Sequence, residues 1–510
     1  MASEKPAGET AFGVRVDLAG VTPDPTALGA VPARVAHHYG LFPYGWEGDR
    51  LKAAVAEIPD AAKRDEWRFV LNREVVPVLA APAEILQALK SHYGIGAETV
   101  ARMPDAAARV EVSRRRDDLD AAEDASVIKI VNQLLLEAHE NRATDIHLEP
   151  YENDFRVRYR IDGVLYDAKT AEGLRGHRAA IVSRIKIMAE LSIAEKRLPQ
   201  DGRLRVRVGG QDLDLRVSTL PTPFGESVGI RLLTRRQFLD LRHLGFEDAD
   251  TGTLAALLEK PHGIVFLTGP TGSGKTTTLY AFLNQINQPD KKIVTIEDPI
   301  EYEMKGVTQV QVHPAIGLTF AQGLRSMLRH DPDVMMVGEV RDLETAEIAV
   351  RVALTGHLVF STLHTNDAAS AAARLQDIGV EPYLIASSVL CVIAQRLVRV
   401  ICAECREAVP PPPEMARDLA GGPDVPKAFR GRGCPACKGT GYRGRTVIYE
   451  MLPMTDALRG MIADRRPAHA LREEALRGGM RPLRRSGWRK VLDGTTTADD
   501  VMRATLQEGL

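Results

Sequence analysis

The chain has 510 residues, 44% of them apolar, which is enough for about three or four cores at ordinary domain size. Sixty-six Lys plus Arg against 68 Asp plus Glu leave a formal net charge of −2, so no global positive field draws it to nucleic acid or anionic lipid. No uninterrupted apolar run reaches the roughly 18 residues that a membrane span needs, and Met1–Pro6 lead into no signal-type apolar segment; the cytoplasm is the expected compartment.

Residues 1 to about 110 read as a small α/β module without visible chemistry. The apolar runs 51–56 and 75–80 stand among helical patterns, and Pro82–Leu89 has the capped, 3.6-residue periodicity of an amphipathic helix suited to packing or docking. His37 and His38 have no Cys, Asp or third His at a ligand spacing and read as surface residues. Residues 111–124, including Arg114–Arg116 and Asp117–Asp118, read as a solvated linker.

The next domain is expected over 125–238. A helix covers 127–136, and the strand Phe155–Ile161 alternates so that Phe155, Val157, Tyr159 and Ile161 share one face while Arg156, Arg158 and Arg160 share the other. Residues 203–208 repeat this arrangement and 214–219 continue it. Such arginine rows are either solvated charge or donors for phosphate.

A nucleotide-binding core is expected over 239–400. The buried strand Ile264–Leu267 leads into Gly269-Pro270-Thr271-Gly272-Ser273-Gly274-Lys275-Thr276, which fits G-x-x-x-x-G-K-[ST], and Thr277–Asn284 reads as a helix. Glycines there let backbone N–H groups turn around a polyphosphate, and the helix adds its positive dipole end. Lys275 would reach the β- and γ-phosphates, and Thr276 would hold Mg²⁺. The strand 292–296 ends in Glu297 and Asp298, and the strand 333–337 ends in Gly338 and Glu339. Acids at strand C-terminal ends lie where open α/β sheets bind ligands, and Glu339 is the candidate to polarise water. With Gly338 before it, metal would be held by Thr276 with water or with the other acids. A fourth strand, 357–364, delivers His364 to the same edge as a candidate γ-phosphate sensor. Cys391 is expected in an apolar helix, 388–394, as a buried small hydrophobe.

Cys402-Ala403-Glu404-Cys405 and Cys434-Pro435-Ala436-Cys437 are two C-x-x-C pairs. Each forms a tight turn that presents two thiolates, so the 401–444 segment is expected to hold a closed, structural tetrahedral Zn²⁺. Residues 445–510 alternate capped helical segments and are expected to form a small helical domain.

GPTGSGKTTTLY, TIEDPIEY, LRHDPDVMMVGEVRD and TGHLVFSTLHTNDAASAAARL together resemble the Walker A, Asp box, Walker B and His box of the type II/type IV pilus secretion ATPase superfamily. RATDIHLEPYE, RLPQDGR and LRVSTLPTPFGESVGIRLL resemble its second N-terminal domain, and GRTVIYEMLPM its C-terminal end. The resemblance runs from about residue 125 to 507. It implies a RecA-like P-loop NTPase core with a preceding PAS-like α+β domain, and a hexamer binding ATP between that domain and the core. It gives Arg203 and Arg216 positions that reach the phosphates, with Arg160 as a weaker candidate. The tetracysteine segment and the N-terminal module are similar to the assembly ATPases rather than the retraction motors, and residues 85–100 resemble the part that binds inner-membrane partners.

The expectation is therefore a cytoplasmic, Mg²⁺-dependent ATPase held at the inner membrane by partner proteins, namely a membrane platform and the cytoplasmic domain of an assembly protein, with no nucleic-acid partner. Pseudopilus assembly in type II secretion is the leading reading, and type IV pilus extension is its alternative. Glu339 would activate water with Glu297 and Asp298 assisting. An ATP-binding scaffold without hydrolysis and a nucleic-acid translocase are the competing classes.

Overall fold

The computed structural model describes residues 15–94, 116–170, 173–208, 210–233, 241–419 and 427–506. The chain divides into two compact units, Met1–Thr234 and Arg235–Leu510.

In the first unit, strands β1 (Leu41–Glu47), β2 (Arg50–Val55) and β3 (Val75–Leu79) form a sheet in the order β1-β2-β3. Alternation within β2 buries Leu51, Ala53 and Val55, and the helix Ala61–Leu71 adds Trp67 to their core. The helix Pro82–Tyr93 opens with proline at its first turn and buries Ile85 and Leu89. Phe69, on the helix Ala61–Leu71, is 89% exposed.

The second sheet of this unit has six strands: β4 (Ala143–Pro150), β5 (Phe155–Ile161), β6 (Val164–Asp167), β7 (Gln200–Val208), β8 (Gln211–Thr222) and β9 (Gly225–Leu233), in the order β6-β5-β4-β9-β8-β7. Period-2 alternation puts Phe155, Val157, Tyr159, Leu213, Leu215, Val217, Val228 and Ile230 in one core, which the helices Arg116–Glu140 and Arg178–Met188 complete. The first of these helices begins inside the stretch read as a linker; of that stretch, 111–115 lie outside the described residues. Charge density there argued for solvation, but charged residues are compatible with helix, and the apolar residues from Val127 onward anchor its C-terminal half.

In the second unit a seven-stranded sheet runs β12-β11-β13-β14-β10-β15-β18: β10 is Gly263–Thr268, β11 Ile293–Glu297, β12 Val307–Gln311, β13 Val334–Val337, β14 Leu358–Leu363, β15 Val389–Ile401 and β18 Tyr442–Pro453. β10, β11, β13 and β14 are buried at every residue, as parallel strands covered on both faces must be. Neighbouring strands from β12 to β15 are parallel, and β18 joins β15 antiparallel.

Two expectations change here. Cys391 is fully buried, as expected, but in strand β15 rather than in a helix. The segment expected to be helical from 445 starts within β18, which completes the core sheet, and its helices follow at Asp456–Ala463, Ala468–Arg477, Leu483–Leu492 and Ala498–Ala504. Between β15 and β18, β16 (Arg406–Val409) and β17 (Ala428–Gly431) form a two-stranded antiparallel sheet.

Candidate functional site

β10 ends at Thr268 and the chain turns through Gly269, Gly272 and Gly274, with φ of 143°, 81° and 90°. Side chains rarely adopt these values, so glycine is what permits the turn. A Cβ on Gly269 would also stand 2.6 Å from the Gln395 carbonyl oxygen. The helix Lys275–Ile286 starts directly after Gly274, anchored by Leu279, Tyr280, Phe282 and Leu283 in the core, so its unpaired N–H groups are held at the loop. Ser273 and Lys275 are buried, Thr277 is half-buried, and Pro270, Thr271 and Thr276 are exposed. Lys275 Nζ donates to Gly269 O at 2.7 Å and Pro270 O at 3.3 Å. Burial pulls its ammonium down to about 8; Glu339 opposes that shift and Arg396 adds to it.

Glu339 follows β13 by two residues, and its side chain is 15% exposed. Its Oε1 is 2.8 Å from Arg341 Nη2 and its Oε2 is 3.1 Å from His364 Nε2, so the structure brings Glu339 and His364 together. Asp298 is exposed. Glu297 is in a different setting: 3% exposed, it accepts from Thr295 Oγ1 at 2.6 Å, Gln309 Nε2 at 3.1 Å and the Tyr280 hydroxyl. Burial raises its carboxyl above the ordinary range, and these three donors oppose the shift. The backbone of Gly338 lies against β11: its N–H donates to Ile296 O at 2.8 Å, and a Cβ would stand 3.4 Å from the Glu297 Cα.

The loop is floored by residues that the sequence reading passed over. Gln395 Nε2 donates to Ser273 O at 2.9 Å, Leu397 packs beneath Gly274, and Arg396, 8% exposed, donates to Asn366 O at 2.8 Å. Two consecutive polar residues, Gln395 and Arg396, inside the apolar run of β15 were the available signal.

In the first unit, register places Arg203 opposite Arg216, Arg216 opposite Arg231, Arg231 opposite Asp145, and Asp145 opposite Arg160. One row thus crosses five strands. Asp145 is its organising anion: Arg231 Nε is 3.0 Å from its Oδ1 and Arg160 Nε is 3.8 Å from its Oδ2. The sequence reading picked Arg203, Arg216 and Arg160 but missed Arg231 and Asp145, because which residues stand opposite is a matter of register.

The four cysteine sulfurs lie within 4.8 Å of one another. Cys402 to Cys434 is 3.8 Å, Cys405 to Cys437 is 3.8 Å and Cys434 to Cys437 is 3.7 Å. Tetrahedral zinc with Zn–S bonds of about 2.3 Å requires sulfurs about 3.8 Å apart, so this donor set fits zinc. Amide N–H groups of Gly433, Cys434 and Gly441 point at Cys405, Cys437 and Cys437 at 3.3, 3.1 and 3.2 Å, the second-layer donors a thiolate cluster needs. Glu339 interacts electrostatically with Lys275 of the phosphate loop, and its carboxylate with the Thr276 hydroxyl is the oxygen-donor chemistry that suits a hard cation such as Mg²⁺.

Fold and loop together define a RecA-like P-loop nucleotide-binding protein. Residues 120–503 match the family described as type II/IV secretion system protein, and the chain belongs to that family. Residues 11–99 match the MshEN domain. The type IV pilus assembly ATPase PilB of Myxococcus xanthus is 43% identical over 497 residues, covering 94% of this chain and 87% of that protein. Type II secretion system protein E of Pseudomonas aeruginosa is 44% identical over 500 residues, covering 95% and 99%. Among solved structures, the Legionella pneumophila ATPase DotB matches with a TM-score of 0.56 at 20% identity, covering 74% of this chain and 95% of that one, a likeness of fold.

Proposed function

We propose that this chain is a Mg²⁺-dependent ATPase that drives pseudopilus assembly in a type II secretion system. The observation that carries the chemistry is the cluster at the strand tips of the second unit, where the glycine loop, Lys275 and the Glu339–His364 pair stand on adjacent strands. Lys275 and the loop amides bind the polyphosphate, and Thr276, with water or with the acids at the strand ends, would hold Mg²⁺, which would supply neutralising charge to the phosphates. Glu339 orients and activates the attacking water, and His364 reports the γ-phosphate. Glu297, saturated by hydroxyl and amide donors, shapes the base of the site rather than moving a proton. Arg203 and Arg216 remain proposed phosphate donors, since a planar guanidinium suits phosphoryl oxygens. The chain acts as a homo-oligomer, a hexamer, and reaches inner-membrane partners through its N-terminal module.

Phosphate release by the purified chain with Mg²⁺-ATP tests this: turnover by the wild type that Lys275→Ala abolishes supports it, and equal background rates sink it. Type IV pilus extension is the second reading, favoured by the match to PilB across 94% of the chain. Binding of the full chain to cytoplasmic domains of a secretion platform against those of a pilus platform decides between them. No helix among the described residues is long and apolar enough to cross a membrane.

A further inference from the structure

The segment after β14 carries His364 and is tied to the phosphate loop at two points. Thr268, the residue before Gly269, accepts from the Thr365 N–H at 2.8 Å, and the two threonine hydroxyl oxygens are 2.7 Å apart. Arg396 makes the second tie. Its Nη2 donates to Asn366 O at 2.8 Å and its Nη1 to Gln395 O at 3.0 Å, while Nη1 stands 3.0 Å from where a Cβ on Gly269 would be. Thr365 and Asn366 directly follow His364, whose ring reaches Glu339.

A guanidinium buried to this degree is costly to leave without partners, so it holds both carbonyls in one geometry. Its planar fork joins β15 to the segment after β14, and Gly269 lies against the same fork. A displacement of the loop around a polyphosphate at Gly269 therefore moves Thr268 and presses on Arg396, and both transmit to the backbone beside His364.

We propose that Arg396 and Thr268 are positioning residues that make the His364–Glu339 pair respond to what the phosphate loop holds. They act on the step after binding. The inference rests on the ATPase reading, and its consequence is that damage to the ties lowers turnover while nucleotide affinity stays.

The test uses the full chain with Arg396→Lys, which keeps the charge but loses the fork, and the near-isosteric Thr268→Val, each also combined with His364→Ala. Melting temperature, steady-state kcat and equilibrium binding of fluorescent ATP and ADP analogues are measured. Each single variant is expected to lower kcat by about 10–100-fold, the range that small misplacement of a reacting group produces. Nucleotide dissociation constants should stay within about threefold, and the loss should add little to that of His364→Ala, as for residues acting through one another. Affinity falling as far as kcat would overturn the proposal by making Arg396 a phosphate contact. Wild-type turnover in both variants, or full additivity with His364→Ala, would overturn it too. Should the wild type itself not turn over, the ATPase reading fails separately. The ties, which are proposed to act on turnover alone, then have no step to act on and fall with it, whereas their failure with an active wild type leaves the ATPase reading standing.

Discussion

Nε2 of His364 and Oε2 of Glu339 are 3.1 Å apart, joining the ends of the adjacent strands β14 and β13. The other carboxylate oxygen of Glu339 meets Arg341 at 2.8 Å, so the group is oriented from both sides. Glu339→Gln retains its size and loses its basicity. We expect kcat to fall about 10²–10⁴-fold, the usual worth of a general base, with ATP affinity little changed. Phosphate release and equilibrium binding on the same preparation check this.

Glu297 should behave differently. Its three donors make Glu297→Gln a packing and hydrogen-bond change, expected to cost about 1–3 kcal/mol of stability because a donor then faces donors. Turnover should stay within about tenfold of wild type. Denaturant unfolding and kcat, compared with Glu339→Gln, separate the two acids.

Lys275 gives the site a pH dependence. Its ammonium, held at about 8 mainly by burial, is the form that phosphate favours, so binding takes up a proton where the free protein has lost one. ATP affinity should be flat below pH 7 and then weaken as pH rises past about 8, by up to tenfold per unit. Titration calorimetry in two buffers of different ionisation enthalpy reads the uptake directly. For folding the sign is opposite: the folded value lies below the unfolded 10.5, so wild type gains stability relative to Lys275→Met as pH rises between the two.

The tetrathiolate predicts about one zinc per chain, lost on Cys405→Ser or Cys437→Ser. Metal loss should lower the melting temperature, because the knuckle's folding free energy is largely its binding free energy. Elemental analysis and thermal unfolding with and without chelator measure both.

Much of this was legible because the chemistry sits in local patterns. The glycine loop needs its residues in series, and each thiolate pair is a turn of four residues, so Gly269–Thr276 and the four cysteines could be read directly. The acids at Glu297 and Glu339 were legible as strand endings, but not the difference between them: burial of Glu297 depends on Tyr280 and Gln309, brought by another helix and strand. β15 was the largest miss. Covered on both faces, it loses the period-2 pattern of a half-exposed strand, and its apolar run imitates a buried helix. A helix over 388–394 ends just short of Gln395 and Arg396 and gives no reason to place them behind the phosphate loop. The arginine row was visible as alternation along single strands, whereas Asp145 as the shared partner of Arg160 and Arg231 required β9, far along the chain, to be set beside β4.

β15 leaves the phosphate loop at Leu397 and delivers the chain to Cys402, whose N–H donates to Gly441 O at 2.9 Å. That stretch is a ruler as much as a support. Deleting one residue between Arg396 and Cys402 would invert every following side chain and draw the first thiolate back by about 3.3 Å, too far for a sulfur to stay in a tetrahedron. Its length is therefore fixed from both ends at once, and a chain cut or lengthened there would surrender either its metal or the floor of its nucleotide site.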